Sequence, residues 1–227
     1  MRFTLPDSYA EFFSKNQIIE LEEILTDQEA DLLCSKLEIA LSKALHEKPL
    51  TITSNSDMWK AGRTLWEEDP EIKNVLLHLK LGEIAHFLFK KRPIKLGYAQ
   101  TFFTELKGDS PFPAKATLTE ISSFTPVLGG AFLCLNAQEV LEIQEPSLLP
   151  DLKVQKKGRA IFFSGEYPLP LEELFKQKGL RYLLLCFIPQ TARYKLEPKD
   201  LHTHLLKKQG YVFGDTLKEE TCPYVYY

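Results

Sequence analysis

Apolar residues recur with two different periods along the chain, and the change falls near Pro93. Before it the spacing is helical. Leu33, Leu37, Leu41 and Leu45 repeat every four residues and lay an apolar stripe on one helix face. Thr26-Asp27-Gln28-Glu29, just upstream, has the form of a capping box. Asp69-Pro70-Glu71 predicts a second helix start, with an acidic N-cap and proline at the first helical position. Ile72, Val75, Leu76 and Leu79 form its inward face, and a further helical stretch is expected around Glu83 to Phe89.

After Pro93 the runs become short and rich in β-branched and aromatic residues. Ile94–Phe102, Ala116–Phe124, Gly130–Leu135, Ala160–Phe163 and Leu180–Ile188 read as strands. Loops with proline, glycine and lysine separate them, notably Lys107–Lys115 and Pro146–Gly158. A last helix is expected from Glu197-Pro198-Lys199-Asp200 to about Gln209, followed by an aromatic, turn-rich tail from Gly210 to Leu217 that packs against the body. A helical front followed by several short strands is an α+β pattern, suited to a sandwich or barrel. The expected division is one domain over 1–227: a helical layer over about 1–92, strands over about 93–190, and a helix with tail over 191–227.

Composition narrows the function classes. The 227 residues hold 28 basic and 31 acidic side chains, a net charge of −3, and 44% are apolar. That balance excludes a disordered chain and does not announce nucleic acid by bulk charge. Lys90-Lys91-Arg92, Lys156-Lys157 and Lys207-Lys208 are short runs of the kind found on solvated faces, so nucleic acid is not an expected partner. The opening Met-Arg-Phe-Thr-Leu-Pro-Asp lacks the apolar core of a signal peptide, and no apolar run reaches membrane-spanning length. Cys34, Cys134, Cys186 and Cys222 form no C-x-x-C pair and read as buried free thiols, in keeping with a cytoplasmic protein without membrane partners.

Motifs for nucleotide binding, serine nucleophiles and zinc proteases are absent. Asp200-Leu-His202-Thr-His204 has metal-ligand residue types but the wrong spacing. In a strand the outer two side chains stand roughly 13 Å apart. In a helix Asp200 and His204 meet while His202 points elsewhere. The expected arrangement is a surface Asp–His pair at a helix start.

The order of pieces resembles the phytanoyl-CoA-hydroxylase-like branch of the Fe(II)/2-oxoglutarate dioxygenases. The resemblance rests on Glu11–Ile19 with Ile24–Glu29, on Leu81–Ala85, on Gly130–Leu135, on Gly158–Phe163, on Arg181–Leu185 and on Gly210–Leu217. It implies a double-stranded β-helix, the jelly-roll barrel, with an N-terminal helical layer. It also implies chemistry by a facial triad, His-x-Asp on one strand and a distal histidine, with Fe(II) and 2-oxoglutarate as cofactors. The residues depart from that pattern. The His-x-Asp stretch falls near Leu118-Thr119-Glu120-Ile121-Ser122-Ser123, and the distal histidine near Tyr167-Pro168-Leu169-Pro170, best at Leu169. No histidine lies between His86 and His202, so the strands supply no imidazole.

No catalytic residue and no metal ligand is therefore assigned, and no cofactor is expected unless the family chemistry survives. Arg181 matches the arginine that grips the 2-oxoglutarate carboxylate, which implies a small-carboxylate site in the barrel mouth. The alternative is a strand-end arginine reaching solvent or a structural acid. Glu120 and Glu166 are the acids available to an atypical metal site, against plain surface or ion-paired roles. Three functions follow: a non-catalytic or repurposed relative that binds a small carboxylate or a protein partner, an active enzyme with atypical ligands, and a divalent-cation-responsive DNA-binding regulator.

Overall fold

The computed structural model describes residues 5–46, 50, 53–105, 110–137, 150, 152 and 156–227. Helix α1 (Asp7–Asn16) leads into strand β1 (Ile18–Leu21). Helices α2 (Asp27–Ala44), α3 (Asn55–Ala61), α4 (Leu65–Glu68), α5 (Pro70–Leu76) and α6 (Leu79–Phe89) follow. The remainder holds β2 (Ile94–Phe103), β3 (Phe124–Thr125), β4 (Gly129–Cys134), β5 (Ala160–Ser164), α7 (Leu171–Lys176), β6 (Arg181–Pro189), β7 (Arg193–Tyr194), a 3₁₀ turn (Leu206–Gln209) and β8 (Tyr224–Tyr226). No described helix is long and apolar enough to cross a membrane.

Helices α2 and α5 begin where the sequence predicts, whereas the stretch expected around Glu83 starts at Leu79, which opens α6 instead of extending α5. The Thr26 hydroxyl accepts from the Glu29 amide at 3.2 Å, and the Glu29 carboxylate accepts from the Thr26 amide at 2.7 Å. The α2 stripe of Ala30, Leu33, Leu37 and Leu41 is fully buried. Asp69 caps α5 through the amides of Glu71 and Ile72, and the same carboxylate meets Lys36 at 2.8 Å, tying α5 to α2.

Six strands form one sheet in the order β1-β5-β4-β6-β2-β8, every neighbouring pair antiparallel, and β3 pairs with β7 separately. Because strand side chains alternate, the sheet has two apolar faces. Ala131, Leu133, Phe162, Leu183, Leu185 and Phe187 pack under α2, α5 and α6 in a first core. Phe132, Ile161, Phe163, Leu184, Cys186 and Ile188 face a second core, closed by Leu118, Leu169, α7 and the C-terminal segment. A one-residue bulge in β2 at Gly97 keeps both alternations in phase.

Four predicted strands recur with ends shifted by a residue or so. Two expected elements do not form. Ala116–Phe124 holds one bridge, Ala116 to Leu169, and then a turn. There Thr117 and Glu120 cap each other, amide to carboxylate at 2.9 Å and amide to hydroxyl at 3.2 Å, and this local bonding diverts the chain from a ladder. The expected helix over Glu197–Gln209 is a series of turns ending in the 3₁₀ turn, because Asp200 accepts from the His202 amide at 2.9 Å and bends the chain. Strand β1 lies within the expected helical layer, yet it joins the sheet as an edge beside β5. The N-terminal tetrapeptide, part of Lys107–Lys115 and most of Pro146–Gly158 lie outside the described residues.

Gly82 marks the closest approach between layers, since a Cβ there would overlap the Val225 carbonyl of β8. Gly82→Ala is expected to cost about 1–3 kcal/mol as α6 is forced off the sheet edge. Urea unfolding should show a lower midpoint at unchanged slope, and an unchanged midpoint would contradict this packing.

Candidate functional site

The fold unites the segments that the sequence aligns with the iron ligands. Ala116 and Leu169 exchange both backbone hydrogen bonds, at 3.2 and 3.0 Å, and the Thr119 amide donates to the Gly165 carbonyl at 3.1 Å. This places Leu118 and Leu169 in the second core, each fully buried. Leu118 takes up space that a missing side chain leaves open, for its Cδ2 lies 2.8 Å from where a Cβ on Gly130 would stand. Rings fill the rest: Phe132 stacks near Phe163 and Tyr182 at 5.4 Å, and Trp59, Phe102, Phe112 and Phe175 form an edge-to-face cluster.

Glu120 points outward instead. It is held by Thr117 and, at 2.9 Å, by Lys199, and the Thr117 amide followed by Lys199 lowers its pKa below the usual carboxylate value. Glu166 is exposed in the turn after β5. Among the described residues no three His, Cys, Asp or Glu side chains form a group able to hold a metal ion. Leu169, the best placement for the distal histidine, carries no donor atom, and Glu120, the carboxylate of the stretch aligned with His-x-Asp, is turned outward onto Lys199, so these residues do not fit Fe(II).

Arg181 begins β6 opposite Phe103, on the helix-covered face rather than the face bearing Leu118 and Leu169. Its Nε donates to Glu38 of α2 at 3.0 Å, its Nη2 pairs with Glu105, and its guanidinium lies 4.9 Å from the Phe103 ring. Two carboxylates of the chain itself thus engage the fork, joining α2 to the ends of β2 and β6.

The polar groups of the second core come from residues that sequence reasoning leaves out or misplaces. Arg63, 5% exposed, donates through Nε to Gln100 at 2.8 Å, lies 3.6 Å over the Tyr98 ring and meets Asp200 at 3.4 Å. Asp200, 3% exposed, also accepts from the amides of Ser123 and His202, each at 2.9 Å. The expected surface Asp–His pair is therefore corrected: Asp200 is buried with an arginine 137 residues away, and His204 is exposed. Arg63, Glu67, Tyr98, Ser123, Asp200 and His202 line a cavity of about 30 Å³. At the other end of the sheet Arg159, 2% exposed, donates to Glu20 at 2.9 Å and to the Tyr182 hydroxyl at 3.4 Å. All four cysteines are free, and burial pushes the Cys186 and Cys222 thiols up to about 12, which suits packing rather than nucleophilic chemistry.

The fold superposes on those of non-haem, α-ketoglutarate-dependent enzymes. The carbocyclase SnoK from nogalamycin biosynthesis superposes with a TM-score of 0.69 at 16% identity, over 97% of this chain and 96% of that one. The epimerase SnoN of the same biosynthesis gives 0.68 at 14% identity, over 96% and 98%. CT296 from Chlamydia trachomatis gives 0.50 at 18% identity, over 82% and 97%. At these identities the likeness is one of fold. No protein-family model and no curated protein sequence matches the chain.

Removing one partner of the buried pair leaves the other charge uncompensated. Arg63→Met is expected to cost about 3–5 kcal/mol. Combining it with Asp200→Asn should recover about 1–3 kcal/mol relative to the sum of the single losses. Strict additivity in urea unfolding would contradict a direct Arg63–Asp200 coupling.

Proposed function

We propose that this chain is a non-catalytic, repurposed relative of the Fe(II)/2-oxoglutarate oxygenases, a double-stranded β-helix kept as a scaffold that acts by binding a protein partner or a small carboxylate. The observation that carries the reading is the filling of the aligned segments: Leu169, the best placement for the distal histidine, and Leu118, in the stretch aligned with His-x-Asp, are both fully buried in the second core, and their segments are bridged from Ala116 to Leu169. Leucine cannot ligate, and with Gly130 beneath Leu118 the two complete an apolar core. Fold alone does not carry chemistry, so likeness to SnoK and SnoN supports the scaffold and not their reactions.

All 227 residues belong to this one domain in our reading, because both cores share a single sheet. A small carboxylate that used Arg181 would have to displace Glu38 or Glu105. Such an exchange at a guanidinium mostly shielded from water favours a structural role for Arg181, and it moves the weight of the proposal toward a protein partner. The atypical-ligand alternative draws no support from the exposed Glu120 and Glu166.

The test is turnover. Protein incubated aerobically with Fe(II), ascorbate and 2-oxoglutarate is expected to form no succinate above a protein-free control, read by mass spectrometry. Succinate that rises with protein concentration and vanishes on chelation would sink the non-catalytic reading.

A further inference from the structure

Between β7 and β8 the chain runs back across the second core. Leu206, Tyr211, Leu217 and Cys222 from this segment are buried against it. Its first turns are anchored by Asp200 on Arg63 and the Ser123 amide, by Thr203 accepting from the Ser123 hydroxyl at 2.9 Å and from Tyr194, and by Lys199 on Glu120 at 2.9 Å. Farther along, the Leu217 carbonyl accepts from the buried Lys95 at 2.7 Å and Thr216 bridges to Arg193. His202 stands within this anchorage. Its Nε2 is shielded from solvent and has no hydrogen-bond partner among the described residues, and its ring lines the 30 Å³ cavity.

The charged and titratable groups facing that cavity come from every element around it. Arg63 and Glu67 come from the α3–α4 region, Tyr98 from β2, and Asp200 from the segment itself, while Ser123 and Thr221 add hydroxyls. Asp200 is already matched by Arg63 and two amides. A proton on His202 therefore places a second cation beside Arg63, in a space with room for about one or two waters. Glu67 also lines the cavity, and burial holds its carboxyl pKa above the ordinary carboxylate value.

We propose that residues 197–206 form a pH-gated strap: neutral His202 keeps it seated on the second core, and protonation of His202 beside Arg63 releases it from the Tyr98–Gln100 end of the sheet, while the Lys95–Leu217 bond holds the rest of the segment in place. Burial, and then Arg63, push the His202 imidazole from 6.5 down to about 4, against the upward pull of Asp200 and the Trp59 carbonyl. In a released strap the ring recovers its ordinary pKa. The seated form is thus fully favoured above about pH 6.5 and loses ground as pH falls toward about 4.

Hydrogen–deuterium exchange of the full chain, corrected for intrinsic rates, tests this. From about pH 7.5 to about pH 5, opening of residues 197–206 should rise about 30-fold, with much smaller changes in β4 and β6. His202→Gln, which keeps a polar, uncharged side chain, should abolish most of that rise. Protection in the wild type that does not vary with pH, or an equal rise in His202→Gln, would overturn the proposal. Should that variant fail to fold, the wild-type His202 ring can be titrated by NMR. A midpoint below about 5 is expected, and one near 6.5 would overturn the proposal equally.

Discussion

Everything in this molecule depends on one antiparallel sheet that is buried on both faces. Six strands alternate side chains between a helix-covered core and a second core, and neither face meets water over its centre. Burying about 25 cal/mol per Å² of apolar surface on each side makes the sheet the dominant stabilising feature. It also fixes register strictly, since a slip of one residue would exchange the contents of the two cores. The shift in β2 at Gly97 is the one irregularity between β2 and β6, and it lets Leu96 and Ala99 face the helices while Tyr98 and Gln100 face the second core.

The second core is the place on which the proposed function rests. A facial-triad iron centre needs imidazole and carboxylate side chains. Here Leu118 sits over Gly130, Leu169 is bridged beside it, and phenylalanine rings complete the filling. Polar groups survive at the margins: Arg63 with Asp200 at one end, Arg159 with Glu20 at the other. Each buried arginine is matched by an acid of the chain, which is what a charge in a low-dielectric interior requires. These pairs fix the outer segments, β1 and the C-terminal strap, onto the sheet, a role in positioning the chain.

Much of the fold is legible in the sequence because the signals are local. The Thr26 capping box, the Asp69-Pro70 helix start and the four apolar strand runs each act within a few residues, and each forms nearly where predicted. Ala116–Phe124 misleads because its apolar content is genuine while Thr117 and Glu120 bond to each other and bend it. The lack of histidine between His86 and His202 is read directly from the sequence, since no alignment can bring histidine into a stretch that has none. The polar network is not. Asp200 and Arg63 are separated by 137 residues, and only the closure of the strap over β2 brings them together. The side on which Arg181 falls is equally hidden, because a strand-end arginine can turn to either face until its register is known.

On the proposed function, apolar packing fills the second core and Fe(II) finds no site there. Calorimetric titration of metal-free protein with Fe(II) under anaerobic conditions, with and without 2-oxoglutarate, addresses it directly. Heats no larger than dilution are expected in both cases. A one-to-one isotherm that tightens with 2-oxoglutarate would contradict the packing account and return the chain to the metal-dependent enzymes whose fold it shares.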